Sequence, residues 1–319
     1  MQSQVSVLLP VYNGEAYIKK AIESVLAQEY PNFEFVILDN ASTDQTPEII
    51  AEYAGDERVR VVRNSETLPR LENFKKVFAL ADEESRWLKF IGDDDKLLPG
   101  CLAEMVRAGE KGKNVGLVSS RYYDGERLVN GILPSGQELE TGPVLLKRML
   151  LKPEARKAIF SPTSIMIARK AYEELGPFRT DLLHADSELF YRVLNRYNYA
   201  FVHKPLTVTG FHSGSGQAGS IVSGHTFLEA YLIRYYNLQQ YDNLVMTQLE
   251  VERIKNNLVG DSVGFMLGRL AERDFKAAFT HLARIPAACS YHLPVSLFYF
   301  IRRGLSKLLR GEKITLLAR

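Results

Sequence analysis

Over the first 110 residues, short aliphatic runs alternate with stretches whose apolar residues recur every three or four positions. Val5 to Leu9 reads as a strand. Tyr17, Ile18, Ala21, Ile22, Val25 and Leu26 then place one apolar stripe on a helix that ends before Tyr30-Pro31. Phe33 to Leu38 predicts a second strand. Thr46-Pro47-Glu48 opens a helix with an N-cap residue followed by proline in the first turn, and Gly55 closes it. Arg58 to Val62 predicts a third strand, Leu71 to Ala81 a third helix, and Trp87 to Ile91 a fourth strand running into Gly92-Asp93-Asp94-Asp95, with Pro99 starting another helix. This alternation is the pattern of βαβ units in an α/β fold with a mainly parallel sheet and flanking helices.

Beyond residue 110 the pattern is mixed. Val115 to Ser119 reads as a strand, and Tyr122 to Glu126 as a hairpin turn around Asp124-Gly125. Ser164 to Ala168, Ala200 to His203 and Leu206 to Thr209 read as further strands, with a helix from about Asp186 to Tyr197. From His225 onward the pattern is helical. With neither an internal repeat nor a flexible linker, the expected organisation is an α/β domain over residues 1–222, in halves 1–110 and 111–222, and a helical C-terminal appendage over 223–319.

The 319 residues are 46% hydrophobic and 24% charged, which excludes a disordered or low-complexity chain. Forty Lys and Arg against 38 Asp and Glu leave a net charge of +2, so nucleic acid is not an expected partner. Cys101 and Cys289 lie far apart with no metal-ligand spacing, which points to a reducing compartment. The N-terminus lacks a basic region, and the apolar stretch from Leu293 to Ile301 is too short to span a bilayer, so a cytoplasmic protein is expected. The tail from His281 to Arg319 interleaves seven Lys or Arg and one acid with large apolar residues. That pattern suits peripheral contact with the inner face of an anionic cell membrane, or packing on the catalytic domain or on a homodimer partner.

Ligands of open α/β sheets sit outside the carboxyl ends of the strands. There the chain carries Pro10-Val-Tyr12-Asn13-Gly14, Asp39-Asn40-Ala-Ser42-Thr-Asp44, and Asp93-Asp94-Asp95. The first two also suit ordinary turns. Three adjacent carboxylates repel one another unless a cation neutralises them, and hard oxygen ligands select Mg²⁺ or Mn²⁺ completed by water and substrate phosphate.

Taken together, Val5 to Gly14, Leu38 to Asp44 and Phe90 to Pro99 resemble the successive motifs of family 2 glycosyltransferases, over roughly residues 5 to 215. The resemblance implies the GT-A fold and inverting, non-processive transfer of one sugar from a nucleotide-diphospho-sugar to a glycan or lipid-linked acceptor. Residues 1–110 would form the nucleotide-binding half and 111–222 the acceptor half. By position, Pro10, Tyr12, Asp39, Asn40 and Arg70 would hold the nucleotide. Asp94 would be the first choice of metal ligand, with Asp93 and Asp95 contacting ribose, water or metal. Asn40 stands where many relatives have Asp, and Gly92 where many have an acid.

Asp186, in Ala185-Asp-Ser-Glu188, resembles the family's catalytic base, with Glu188 the alternative and helix capping by Asp186 the structural one. His212 would be a third metal ligand, a phosphate contact or a structural histidine. Gly214 to Gly219 matches a dinucleotide pattern but lacks the βαβ context. The rival readings are a sugar-nucleotide nucleotidyltransferase, which lacks its glycine-rich loop here, and a non-catalytic glycan-binding scaffold.

Overall fold

A computed structural model describes residues 4–151, 161–182, 184–210, 243–257 and 260. The chain forms two compact units, Met1–Phe211 and His212–Arg319. In the second, residues 248–257 are helical. Among the described residues no helix is long and apolar enough to cross a membrane.

The first unit is built on one ten-stranded sheet. Its strands are β1 (Val5–Val11), β2 (Phe33–Asp39), β3 (Val59–Arg63), β4 (Trp87–Phe90), β5 (Lys96–Leu97), β6 (Val115–Asp124), β7 (Arg127–Val129), β8 (Leu139–Glu140), β9 (Ile165–Ala168) and β10 (Asn198–Thr209). The main order is β3-β2-β1-β4-β9-β6-β10-β5, with β7 on β6 and β8 on β10. Strands β1 to β4 are mutually parallel, whereas β9 runs against both β4 and β6. Since the chain moves outward from β1 to β3 and then returns to β4 on the other side, the sheet has a switch point between β1 and β4, where open α/β sheets bind ligands.

The helices are α1 (Ile18–Leu26), α2 (Thr46–Ala51), α3 (Arg70–Ala79), α4 (Cys101–Lys111), α5 (Gly142–Leu151), α6 (Arg169–Leu175) and α7 (Ala185–Arg196). The α1 stripe is buried as its spacing requires, through Ile18, Ala21, Ile22 and Val25. Every residue of β1 is buried, as expected of a central parallel strand covered on both faces. Helix α4 approaches closely because Gly109 has no side chain: a Cβ there would lie 2.5 Å from the Trp87 ring.

Several expectations are corrected. The two strands predicted at Ala200–His203 and Leu206–Thr209 are one strand, β10, whose register against β6 slips on either side of Pro205, a residue with no N–H for the ladder. Thr46 begins α2 rather than capping it, and α2 ends at Ala51, before Gly55. Helix α4 begins after Gly100, which takes φ +75°, not at Pro99. The hairpin does form, with Asp124 opposite Arg127 and Gly125 at φ +60°. Helices α5 and α6 were not anticipated.

Gly142, at the start of α5, sits against the carbonyl oxygens of Leu194 and Tyr197 with no room for a Cβ, whereas nothing lies within 4 Å of one at Gly55. Gly142→Ala is therefore expected to lower stability by about 1–3 kcal/mol. Gly55→Ala should change it by less than about 0.5 kcal/mol. Urea denaturation of the two variants checks the contrast.

Candidate active site

The loops leaving β1 and β2 are stitched together. Asn13 N–H donates to Ser42 Oγ (2.9 Å), Gly14 N–H to Thr46 Oγ1 (2.8 Å), and Thr43 N–H to Asn13 Oδ1 (2.8 Å). Asn13 and Ala41 accept positive φ values of 52° and 59° to make these bonds. Between the loops lies Asp39, 1% exposed. Its Oδ1 accepts from Ser42 N–H (3.0 Å). Arg63 Nη1 is 3.2 Å from Oδ2, yet among the described residues that oxygen has no hydrogen bond of acceptable geometry. Charge is thus compensated while a buried acceptor is unused.

Asn40 is hydrogen-bonded within the protein. Its Oδ1 accepts from Asn64 Nδ2 (2.7 Å) and Leu68 N–H (2.9 Å), and its Nδ2 donates to the Leu68 carbonyl (2.9 Å). The amide secures the loop before α3. Pro10 is buried inside β1 opposite Leu38. Tyr12, immediately after β1, is 48% exposed, and Arg70 is exposed at the start of α3 over the Phe74 ring.

In the acidic motif the three carboxylates differ. Asp93 and Asp94 are half-buried, while Asp95 is buried. Asp93 Oδ2 packs over Gly14, where a Cβ would come within 2.6 Å of it. Asp94 lies between two glycines: a Cβ on Gly92 or Gly210 would be 3.2 Å from one or other of its carboxylate oxygens. Asp95 Oδ1 accepts from Gly210 N–H (2.9 Å), and Oδ2 accepts from the Thr163 hydroxyl. Thr163 Oγ1 also accepts from Gly92 N–H (3.2 Å). Asp95 thus anchors Thr163 and Gly210. Burial pushes its acid up to about 6; the Thr163 bond opposes that shift and the neighbouring Asp94 charge adds to it.

Below the motif, fully buried Lys89 donates to the Thr163 carbonyl and, at 3.3 Å, to that of Ile165. Burial pushes the Lys89 ammonium below the usual lysine range. Among the described residues no three His, Cys, Asp or Glu side chains form a metal-binding group. Hard cations bound by one or two carboxylates complete their shell with water and phosphate. His212 lies outside the described residues, as do Gly214 to Gly219 and the tail.

Asp186 stands in the first turn of α7, half-buried, with Oδ1 accepting from Ser187 N–H (2.7 Å). Its Oδ2 has no partner among the described residues. Glu188 is buried and ion-paired to Arg192 (2.8 Å). Arg192 in turn donates to the carbonyls of Leu175 and Pro177, tying α7 to the end of α6. A carboxylate neutralised in this way is a clamp between α7 and the end of α6. Sequence reasoning missed Arg63, Lys89 and Thr163. No local pattern marks them, since each acts on a residue at least 20 positions away.

Residues 6–176, more than half of the chain, match the family described as Glycosyl transferase family 2. The chain belongs to this family, and it spans less than two thirds of the length of the first curated relatives that it matches. It is 30% identical over 216 residues to Uncharacterized protein MT1568 of Mycobacterium tuberculosis, covering 64% of this chain and 66% of that one. It is 39% identical over 93 residues to the Putative teichuronic acid biosynthesis glycosyltransferase TuaG of Bacillus subtilis, covering 29% and 36%. Among solved structures, S. aureus TarS 1-349 in complex with UDP-GlcNAc aligns with TM-score 0.69 at 16% identity, covering 98% of this chain and 93% of that one. Mannosyltransferase PcManGT from Pyrobaculum calidifontis, in complex with GDP-Man and Mn²⁺, aligns with TM-score 0.59 at 18% identity, covering 97% and 81%. At these identities the structures establish the fold, which is of GT-A type.

Thr163→Val removes the hydroxyl that joins Asp95 to Gly92, and should cost about 1–3 kcal/mol of stability. Folding raises the Asp95 acid from 3.8 to about 6, so the folded chain holds the extra proton between those values. Its contribution to stability is full below about pH 4 and is lost as pH rises through about 6. Because Thr163 favours the charged form, the variant should lose stability over a window extending to higher pH. Urea denaturation between pH 4 and 8 in metal-free buffer measures both effects.

Proposed function

We propose that the protein transfers one sugar, with inversion, from a nucleoside-diphosphate sugar to the hydroxyl of a glycan or lipid-linked acceptor. The observation that supports this most is the division of labour among its carboxylates. Asp39 keeps a buried acceptor unused, and Asp95 and Glu188 are spent on anchoring. Asp94 follows the switch-point strand β4 and Asp186 lies in the first turn of α7, positions that support a metal-ligand role for the one and a base role for the other.

Asp39 Oδ2 accepts a hydrogen bond from the base or ribose, Tyr12 covers the base, and Asp93 contacts the ribose. The glycine walls around Asp94 and its hard oxygen atoms fit Mg²⁺ or Mn²⁺, and the Mn²⁺ in the PcManGT complex supports this choice. Such an ion, when bound, offsets charge on the departing diphosphate.

Asp186 takes the proton of the acceptor hydroxyl as its oxygen attacks the anomeric carbon. The bond from that carbon to the phosphate oxygen breaks on the opposite face, and its electron pair leaves with the nucleoside diphosphate. The UDP-GlcNAc and GDP-Man complexes of the structural neighbours support the donor class. The teichuronic acid role in the name of TuaG supports a polysaccharide product. An acceptor of that kind suits a cytoplasmic enzyme working at the membrane surface.

Calorimetry with UDP, GDP and TDP tests the donor site. At least one should bind more tightly with Mn²⁺, and Asp94→Ala should weaken that binding by about tenfold or more, or 1.4 kcal/mol. Equal affinities for wild type and variant, with and without Mn²⁺, would remove the metal from Asp94.

Asp186→Asn tests the base. Transfer should fall by about 10² to 10⁴, while nucleotide affinity and thermal unfolding stay near wild type. Near-normal transfer by the variant would overturn the assignment in favour of a helix-end role.

A further inference from the structure

Among the described residues, Arg121 is the half-buried arginine that lacks a counter-charge. The other half-buried arginines among the described residues each have a carboxylate: Arg58 with Asp56, Arg148 with Glu140, Arg169 with Glu173 and Arg192 with Glu188. Arg121 has neither an ion pair nor a hydrogen bond among the described residues, and its Nε is buried without a partner. Partial burial of a cation without compensation is costly. A ligand that supplies the missing anion relieves that cost.

The sheet register shows where this cation stands. Through β9, Leu88 of β4 is level with Leu117 of β6, and Lys89 with Val118. Since β9 is antiparallel to both strands, β4 and β6 run the same way, and counting onward brings Arg121 level with Gly92. It is therefore at the same sheet edge as the acidic motif, two strand positions away.

The strand pleat shows which face it occupies. Val118 packs on Gly109 of α4, so Ser119 and Arg121 point to the other face. Helix α7 covers that face. Its Val193 and Tyr197 pack on Gly116, where the β6–β10 register slips, placing Gly116 beside Leu117 on the face away from α4.

One residue after α7 the chain enters β10, parallel to β6, so α7 runs back against β6 and its first turn lies toward the acidic edge. From Tyr197 back to Asp186 the helix rises about 16 Å. From Gly116 to Arg121 the strand rises about the same distance. Asp186 and Arg121 thus stand at one level on one face.

We infer that Arg121 recognises the acceptor, its guanidinium holding a carboxylate or phosphate group beside the hydroxyl presented to Asp186. The inference rests on the glycosyltransfer reading above. In an inverting displacement the acceptor and the leaving diphosphate lie on opposite sides of the anomeric carbon, and Arg121 shares the side of the base. The planar fork of arginine matches either anion with two parallel hydrogen bonds. Two sources carry that chemistry, a uronic acid within a glycan and a phosphate within a polyol-phosphate or lipid-linked chain.

The test uses the full chain saturated with Mn²⁺ and whichever of UDP, GDP or TDP binds best. Ligand-observed NMR titrations compare glucuronate with glucose, and ribitol 5-phosphate with ribitol. Wild type should prefer at least one charged probe over its neutral partner by about tenfold, with the preference weakening as salt rises. The preferred probe names the source.

Arg121→Lys should retain part of the preference and Arg121→Met none, with nucleotide affinity unchanged in both. If Arg121→Met melts far below wild type, Arg121→Gln takes its place. The inference is overturned if wild type shows no charge preference, if the preference survives in Arg121→Met, or if that variant loses nucleotide affinity, which would assign Arg121 to the donor. Absence of nucleotide binding by wild type would instead overturn the glycosyltransfer reading.

Discussion

One buried carboxylate joins three stretches of chain that are distant in sequence. Asp95 takes the Thr163 hydroxyl on one oxygen and the Gly210 N–H on the other, while Thr163 holds Gly92 and its own carbonyl is held by Lys89. The end of β4, the turn before β9 and the end of β10 therefore have no independent positions. A buried carboxylate that is fully hydrogen-bonded adds little net stability, but removing one partner exposes the whole desolvation cost. That asymmetry makes the junction rigid, and Asp94 stands one residue from it.

The same logic separates acids that look equivalent in sequence. Asp94 and Asp95 are neighbours, and Asp186 and Glu188 share one turn of helix. In each pair one member is committed, Asp95 to the junction and Glu188 to Arg192. The committed member positions the other. The Glu188–Arg192 clamp, continued to the carbonyls of Leu175 and Pro177, fixes where α7 starts and hence where Asp186 lies.

On the donor side, preorganisation comes from backbone. Two non-glycine residues in the left-handed region, Asn13 and Ala41, are held there by bonds between the loops after β1 and β2. Strain of this kind persists only where the surroundings over-determine it. Here it leaves Asp39 buried, charge-compensated by Arg63 and still able to accept a hydrogen bond.

The alternation of apolar runs with helical stripes was enough to read the parallel half of the sheet, because β1, β2 and β4 are covered on both faces and α1 shows a clear stripe. The motifs at those strand ends were legible for the same reason: strand direction alone brings carboxyl ends to one edge. Strand β5, two residues long, and the slipped register around Pro205 left no periodicity to read. Nor does local sequence say that Asp95 and Glu188 are the acids held by distant groups, since that depends on Thr163, Gly210 and Arg192 arriving from elsewhere. The sequence by itself determined the residue types at the site and the edge on which they gather. Tertiary structure decided which of them are buried and which anchor distant segments, because burial and hydrogen-bond partners are set by contacts between distant segments.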